Sequence, residues 1–181
     1  MLLEMYMIYL VLQIEKNLDQ NTELKMSRKK RYLKVIILND PKYGSYLISK
    51  FINYIMKNGK KQIAQKIFYY SINLISVKLK KNYLFLIKKI LLNIQPIFEI
   101  KKRKIGGTSY NIPFKINLKR SLMFSMKWII LNSKKRNENG FKNKFVGELI
   151  DSYYNNSLSI KQKESILKIA EQNKAYSNFK L

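Results

Sequence analysis

The sequence predicts a mainly α-helical fold, a single bundle of about six helices with a protruding β-hairpin arm between the third and fourth. Three observations lead there. Apolar residues recur at helical spacing along most of the chain from Leu47 onward. Between Ile97 and Ile116 the period switches to two around a Gly-Gly pair. A hydrophobic content of 46% over 181 residues is enough for one core, and neither an internal repeat nor a second core is evident.

After a basic tail at Arg28 to Arg31, Asn39-Asp40-Pro41 marks a turn. Leu47, Ile48, Phe51, Ile52 and Ile55 then share one face of a first helix, which Asn58-Gly59 ends. Ile63, Ile67, Tyr70, Leu74 and Val77, spaced by four, three, four and three residues, form the stripe expected to pack the second helix. Tyr83 to Ile94 supplies the third, and Gln95-Pro96 stops it because proline disfavours helix in the residue before it.

The arm follows at about 97–117. Tyr110, Ile112, Phe114 and Ile116 alternate with Asn111, Pro113, Lys115 and Asn117, which predicts one packed and one wet face. Gly106 and Gly107 permit the positive φ of a tight turn. So short a hairpin buries too little to stand alone, so it packs on the body or is held by a partner.

In the fourth helix Leu122, Met126, Ile129, Ile130 and Ser133 share a face, ahead of Lys134-Lys135-Arg136 and a break at Asn139-Gly140. Phe141, Phe145, Val146, Leu149, Ile150 and Tyr153 make a fifth, closed by Asn155-Asn156. A sixth runs to about Tyr176, with Ser159 expected as N-cap and Gln162 in the capping-box position.

Charge narrows the function. Net charge is +25, from 36 Lys and Arg against 11 Asp and Glu, and its self-repulsion favours an anionic partner. Residues 1–25 hold two cations and four carboxylates, net −2, which leaves 34 cations, seven carboxylates and +27 for residues 26–181. Cysteine and histidine are absent, which removes disulfides, the usual zinc ligands and the commonest neutral-pH base. No catalytic residue, metal site or cofactor is expected. The longest apolar run, Met5 to Leu12, is far short of the roughly 20 residues that cross a bilayer, so no membrane span is expected. Residues 1–25, acidic and without arginine, do not read as a targeting signal. They are expected to be an N-terminal extension or an overlong reading of the gene, because Met26-Ser-Arg-Lys-Lys-Arg resembles a natural start. Lys, Asn, Ile and Tyr, all with codons rich in A and T, make up nearly half the chain and point to an AT-rich genome.

Five stretches carry a family resemblance. They are Asp40-Pro41-Lys42-Tyr43-Gly44-Ser45; Lys50-Phe51-Ile52-Asn53 with Met56 and Gly59-Lys60-Lys61; Ile105-Gly106-Gly107-Thr108-Ser109-Tyr110 with Pro113; Lys127-Trp128-Ile129; and Ala170-Glu171-Gln172-Asn173-Lys174-Ala175-Tyr176. Together, and in this order, residues 26–181 resemble the universal small-subunit ribosomal protein seven family in its bacterial and organellar form. The resemblance implies a protein that binds the 3′ major domain of small-subunit ribosomal RNA and nucleates assembly of the ribosomal head. It also implies a hairpin near the exit-site tRNA and the mRNA exit path, and neighbouring small-subunit proteins of head and platform. Leu167 and Asn178 stand where the family commonly has histidine, and Phe179-Lys180-Leu181 replaces an aromatic C-terminus.

The candidate RNA contacts are cationic. Arg28, Lys29, Lys30 and Arg31 are expected to meet phosphates in preference to being a solvated tail. Lys42, Lys50, Lys57, Lys60 and Lys61 lie off or at the end of the first helix's apolar face, where a merely wet surface is the plain alternative. Lys101, Lys102, Arg103 and Lys104 exceed what protecting a strand edge requires. Gly106 and Gly107 serve the turn and, secondarily, a close backbone approach to RNA. Lys119, Arg120 and Lys127 follow on the fourth helix; Lys134, Lys135 and Arg136 sit where cations also suit a helix C-terminus. Lys174, Tyr176 and Lys180 complete the set. Tyr110 and Phe114 are expected to pack in the fold rather than stack on bases, and Trp128 to be core.

Glu99-Ile-Lys101 fits a fragment of a metal-dependent nuclease, but no carboxylate lies between Asp40 and Glu99 to complete a metal cage. A DNA-bending architectural protein, with a proline wedge on a basic arm, is the rival reading. A membrane-surface protein would concentrate its cations on one helix. A mitochondrial ribosome is the preferred location, with plastid or AT-rich bacterial cytoplasm as alternatives.

Overall fold

A computed structural model describes residues 37–178. Candidates Arg28, Lys29, Lys30, Arg31 and Lys180, and the extension 1–25, lie outside them. The chain divides into two units, 1–50 and 51–181, with the boundary inside the first helix. Among the described residues, six helices and one antiparallel hairpin between the third and fourth make the mainly α bundle with an arm that the sequence predicts.

In the first unit Asp40 builds the turn ahead of the first helix. Its Oδ2 accepts the backbone N–H groups of Lys42 and Tyr43, each at 3.2 Å. Gly44, at φ +61°, donates its N–H back to the Asp40 carbonyl at 2.8 Å. Helix α1 (Tyr46–Ile55) buries all five residues of its predicted face. Asn58 and Gly59 follow with positive φ.

Helix α2 (Lys61–Leu79) corrects the expected stripe. Its buried residues are Ala64, Phe68, Ser71, Ile72 and Ile75, whereas Ile63, Tyr70 and Val77 are 55%, 45% and 76% exposed. Apolar side chains occupy both faces, and the pattern displaced by one residue has the same spacing. Phe68 selects the inward face, with small Ala64 and Ser71 beside it. The buried Ser71 hydroxyl donates to the Ile67 carbonyl at 2.8 Å, so it is satisfied within the helix.

Helix α3 (Tyr83–Ile94) starts at Asn82, whose Oδ1 accepts from Leu84 N–H at 3.1 Å. Strands β1 (Phe98–Ile105) and β2 (Thr108–Lys115) pair from Phe98↔Lys115 to Ile105↔Thr108, leaving Gly106 and Gly107 as a two-residue turn with φ +58° and +89°. The wet and dry faces are less distinct than expected, since Pro113 is buried along with Ile112. The reason is tertiary. β1 packs on helix α6 (Leu158–Gln172), and β2 on a 3₁₀ segment (Lys174–Asn178), so the base of the arm is covered from more than one side.

Helix α4 (Leu118–Lys134) buries its predicted face together with Trp128. Helix α5 (Phe141–Tyr153) contacts α2, α3, α4 and α6. Its Phe145 ring lies 5.7 Å from Phe51 and 6.5 Å from Phe68, and the latter two are 5.3 Å apart. All three rings are fully buried and form the aromatic centre of the second unit.

The capping expectation for α6 is also corrected. Ser157 is the N-cap, its hydroxyl accepting from Ile160 N–H at 3.2 Å, while Ser159 is buried and donates its hydroxyl to Glu148 Oε1 at 2.6 Å. Gln162 Oε1 accepts from Asn132 Nδ2 at 3.1 Å instead of closing a capping box. The buried Glu148 carboxylate outcompetes the local cap.

Candidate nucleic-acid interface

Helix ends explain why cations gather where they do. Macrodipoles favour carboxylates in the first turn, yet none of the six helices among the described residues has one there. α2, α4 and α5 also lack a side-chain cap hydrogen bond, and their first turns carry Lys61, Lys119 with Arg120, and Lys142. A cation beside the positive end of a helix is unfavourable in isolation. Their exposed backbone N–H groups and nearby ammonium groups suit an external anion.

The arm presents its charge on both faces. Lys102 and Lys104, opposite Asn111 and Ser109, project from one; Lys101 and Arg103, opposite Ile112 and Tyr110, from the other. Lys101 Nζ and the Arg103 guanidinium carbon lie 5.1 Å and 5.4 Å from the Phe114 ring centre, so Phe114 supports cations. Tyr110 meets Tyr176 at 4.8 Å between ring centres. Both arm aromatics therefore have partners inside the fold, and so does Tyr176.

Two candidate arginines are engaged by carboxylates. Arg120 at the start of α4 grips Glu99 of β1 through Nε to Oε2 at 2.7 Å and Nη2 to Oε1 at 2.6 Å. This fork ties the base of the arm to the body. The Arg120 guanidinium holds the Glu99 carboxyl below its ordinary value of 4.5, against a smaller opposing effect of burial. A depressed carboxylate adds stability above its unfolded value and loses it as pH falls through the folded value. Acidification below about pH 4.5 is therefore expected to loosen the arm before the core melts; faster amide hydrogen exchange in β1 but not in α4 would register it. Equal exchange at both would contradict that order.

Arg136 donates to Glu138 Oε1 at 2.8 and 3.0 Å, to Asp151 Oδ2 at 2.6 Å and to Glu148 Oε2 at 3.4 Å. Hydrogen bonding to Glu138, and then to Asp151, raises its pKa against the opposing effect of burial, and the guanidinium serves the fold. The neighbouring Lys134 and Lys135 stay exposed, as do Lys57, Lys60, Lys61, Lys127 and Lys174, with Lys119 half-exposed. In the first unit Lys42 lies 5.4 Å from the Tyr43 ring and Lys50 5.8 Å from the Tyr46 ring.

A further cationic cluster was not singled out in the sequence. Lys89 and Lys81 sit 4.4 Å and 5.7 Å from the Tyr153 ring, and hydrogen bonding from Lys81, aided by Lys89, lowers the phenol pKa. The pairs Lys80-Lys81 and Lys88-Lys89 are visible in the sequence, but the convergence of Lys81 and Lys89 on Tyr153 of α5 is tertiary. Lys163 was also missed. Its ammonium donates to the Asn93 carbonyl at 2.7 Å at the end of α3, and burial lowers its pKa.

Among the described residues no group of His, Cys, Asp or Glu is placed to hold a metal, and no helix is long and apolar enough to cross a membrane. The arm also bears on the DNA-bending alternative, because a proline wedge must be exposed near the tip. Pro113 is buried and pairs with Ile100 toward the base.

The chain is 76% identical over 156 residues to the small ribosomal subunit protein uS7 of Carsonella ruddii (strain PV), covering 86% of this chain and 100% of that protein. It is 39% identical over 155 residues to the protein of the same name from Syntrophus aciditrophicus (strain SB), and likewise from Xylella fastidiosa (strain 9a5c), in each case 86% of this chain and 99% of the relative. These relatives are bacterial, so the preference for a mitochondrial ribosome finds no support, and the AT-rich bacterial alternative fits. The profile described as Ribosomal protein S7p/S5e matches residues 27–174, and the chain belongs to that family of structural, non-enzymatic ribosomal proteins.

Proposed function

We propose that this chain binds the 3′ major domain of small-subunit ribosomal RNA in a bacterial ribosome. On this reading it nucleates assembly of the subunit head beside other small-subunit proteins, and its arm lies near the exit-site tRNA and the mRNA exit path. Residues 26–181 are the RNA-binding part, and residues 1–25 are an N-terminal extension or an overlong reading of the gene. The lysines of the arm, of the α1–α2 turn and of the ends of α4 make the phosphate contacts, with the tail at 28–31.

The observation that carries this reading is where the acids go. Of the seven carboxylates after Met26, Asp40 builds a turn, Glu99 holds Arg120, and Glu138, Glu148 and Asp151 surround Arg136. The remaining two, Glu164 and Glu171, are far fewer than the lysines of residues 26–181. Such a surface suits a polyanion held through counterion release. Because A-form RNA hides its major groove, these lysines read phosphate geometry and 2′-hydroxyls in place of base sequence.

The test is affinity across a salt series for the 3′ major-domain fragment, a length-matched unrelated structured RNA and duplex DNA. A preference for the ribosomal fragment that persists at salt removing the others is the expected result. Equal binding to all three, lost together as salt rises, would leave only generic polycation behaviour.

A further inference from the structure

We infer that a cleft between the ends of α1, α2, α4 and α5 receives an unpaired nucleotide of the bound RNA, its base in the apolar interior and its phosphates on a rim of three lysines. The inference rests on the RNA-binding reading and deepens it. The cleft encloses about 370 Å³, within the range of small-ligand sites. Tyr54, Ile63 and Phe141 line it, and Lys57, Lys60 and Lys134 contribute its cationic groups.

Its chemistry selects the occupant. No carboxylate lines the cleft, and no ion pair engages its three lysines among the described residues. An apolar protein segment would leave those ammonium groups unmatched, whereas a nucleotide brings its own negative charge. Two helices begin at the wall, α2 near Lys60 and α5 at Phe141, and both lack a side-chain cap and an acid in the first turn. Their N-terminal N–H groups add to the attraction for phosphate. Within the cleft two aromatic rings and aliphatic side chains offer surface to a base, but no pattern of acceptors that would read its edge. A base paired in an A-form helix cannot present its face, so the nucleotide comes from a loop, bulge or junction.

Ile63 gives a clean probe because it is 55% exposed and its replacement leaves the core intact. The experiment compares the full chain with Ile63→Asp and with Val77→Asp, which puts the same charge farther along α2 at a position 76% exposed and outside the cleft. Affinity for the 3′ major-domain fragment is measured together with base-specific chemical probing of its unpaired nucleotides. Ile63→Asp is expected to lose roughly ten-fold in affinity, the scale of one stacked base, and to restore the reactivity of one unpaired nucleotide that the wild type protects. Val77→Asp is expected to change affinity less than about two-fold and to keep the footprint. Equal losses in the two variants, or a loss with no change in any nucleotide, would overturn the cleft assignment while leaving RNA binding intact. Failure of the wild type to prefer the ribosomal fragment would overturn both.

Discussion

Replacing Lys101, Lys102, Arg103 and Lys104 together with alanine is expected to weaken binding to the 3′ major-domain RNA fragment roughly a hundred-fold near 0.1 M salt. The slope of log affinity against log salt should fall in magnitude by roughly 3 if all four meet phosphate. Three of the four side chains are exposed, so thermal stability should change little, within about 0.5 kcal/mol. Two opposing effects keep it small. Lys101 and Arg103 lose their contacts with Phe114, each worth about 0.5 kcal/mol at an exposed site, while repulsion among four adjacent cations is relieved. The arm itself persists, because Ile112 and Pro113 stay buried and the Glu99–Arg120 fork is untouched. A large loss of thermal stability with RNA affinity unchanged would show that the four cations serve the fold.

How much of this was legible in the sequence depended on whether a signal was local. The α1 and α4 faces were readable because their apolar residues contrast with polar neighbours, and the structure buries the residues named for both. The hairpin was readable from its period and from two glycines that tolerate positive φ. The inward face of α2 is not, because Ile63, Ile67, Tyr70 and Leu74 compete with Ala64, Phe68, Ser71 and Ile75 at the same spacing, and only helix packing decides. Alternation places Pro113 on the wet face because it cannot foresee that α6 and the 3₁₀ segment cover the arm's base.

For the candidate interface, sequence located the cations but not their partners. Arg136 and Lys134 look alike in a basic run, yet one is surrounded by carboxylates two to fifteen residues on and the other lines an open cleft. Arg120 likewise differs from Lys119 only through Glu99, 21 residues earlier. The planar, five-donor guanidinium explains the division, since the arginines hold forked or multiple carboxylate contacts while lysines supply charge to the outside. The cleft is illegible for a related reason: its walls come from four helices, and Ile63 and Phe141 each read as an ordinary apolar position.

Glu148→Ala is the substitution expected to cost the most stability, about 3 kcal/mol. Glu148 is fully buried, and its Oε1 accepts both the Ser159 N–H at 3.2 Å and the Ser159 hydroxyl at 2.6 Å. Ser159 Oγ in turn accepts from Asn132 Nδ2 at 3.2 Å, so one carboxylate joins α4, α5 and the first turn of α6. It also supplies the negative charge that the α6 N-terminus otherwise lacks. Truncation strands two buried donors and opens a void, while Arg136 keeps Asp151 and Glu138. For a domain near 150 residues this corresponds to a fall in Tm of roughly 10 °C by calorimetry. Glu148→Gln, which keeps the shape and one acceptor, is expected to recover about half. RNA affinity measured well below the new Tm should stay near wild type, since no proposed contact is removed. A loss below about 1 kcal/mol in the alanine variant would mean that water or rotation of Ser159 satisfies the donors, and the network would then not be what fixes α6 on the body. If affinity fell as steeply as stability, the lysine surface would depend on the placement of α6, and the separation between acids that hold the fold and lysines that face the partner would fail.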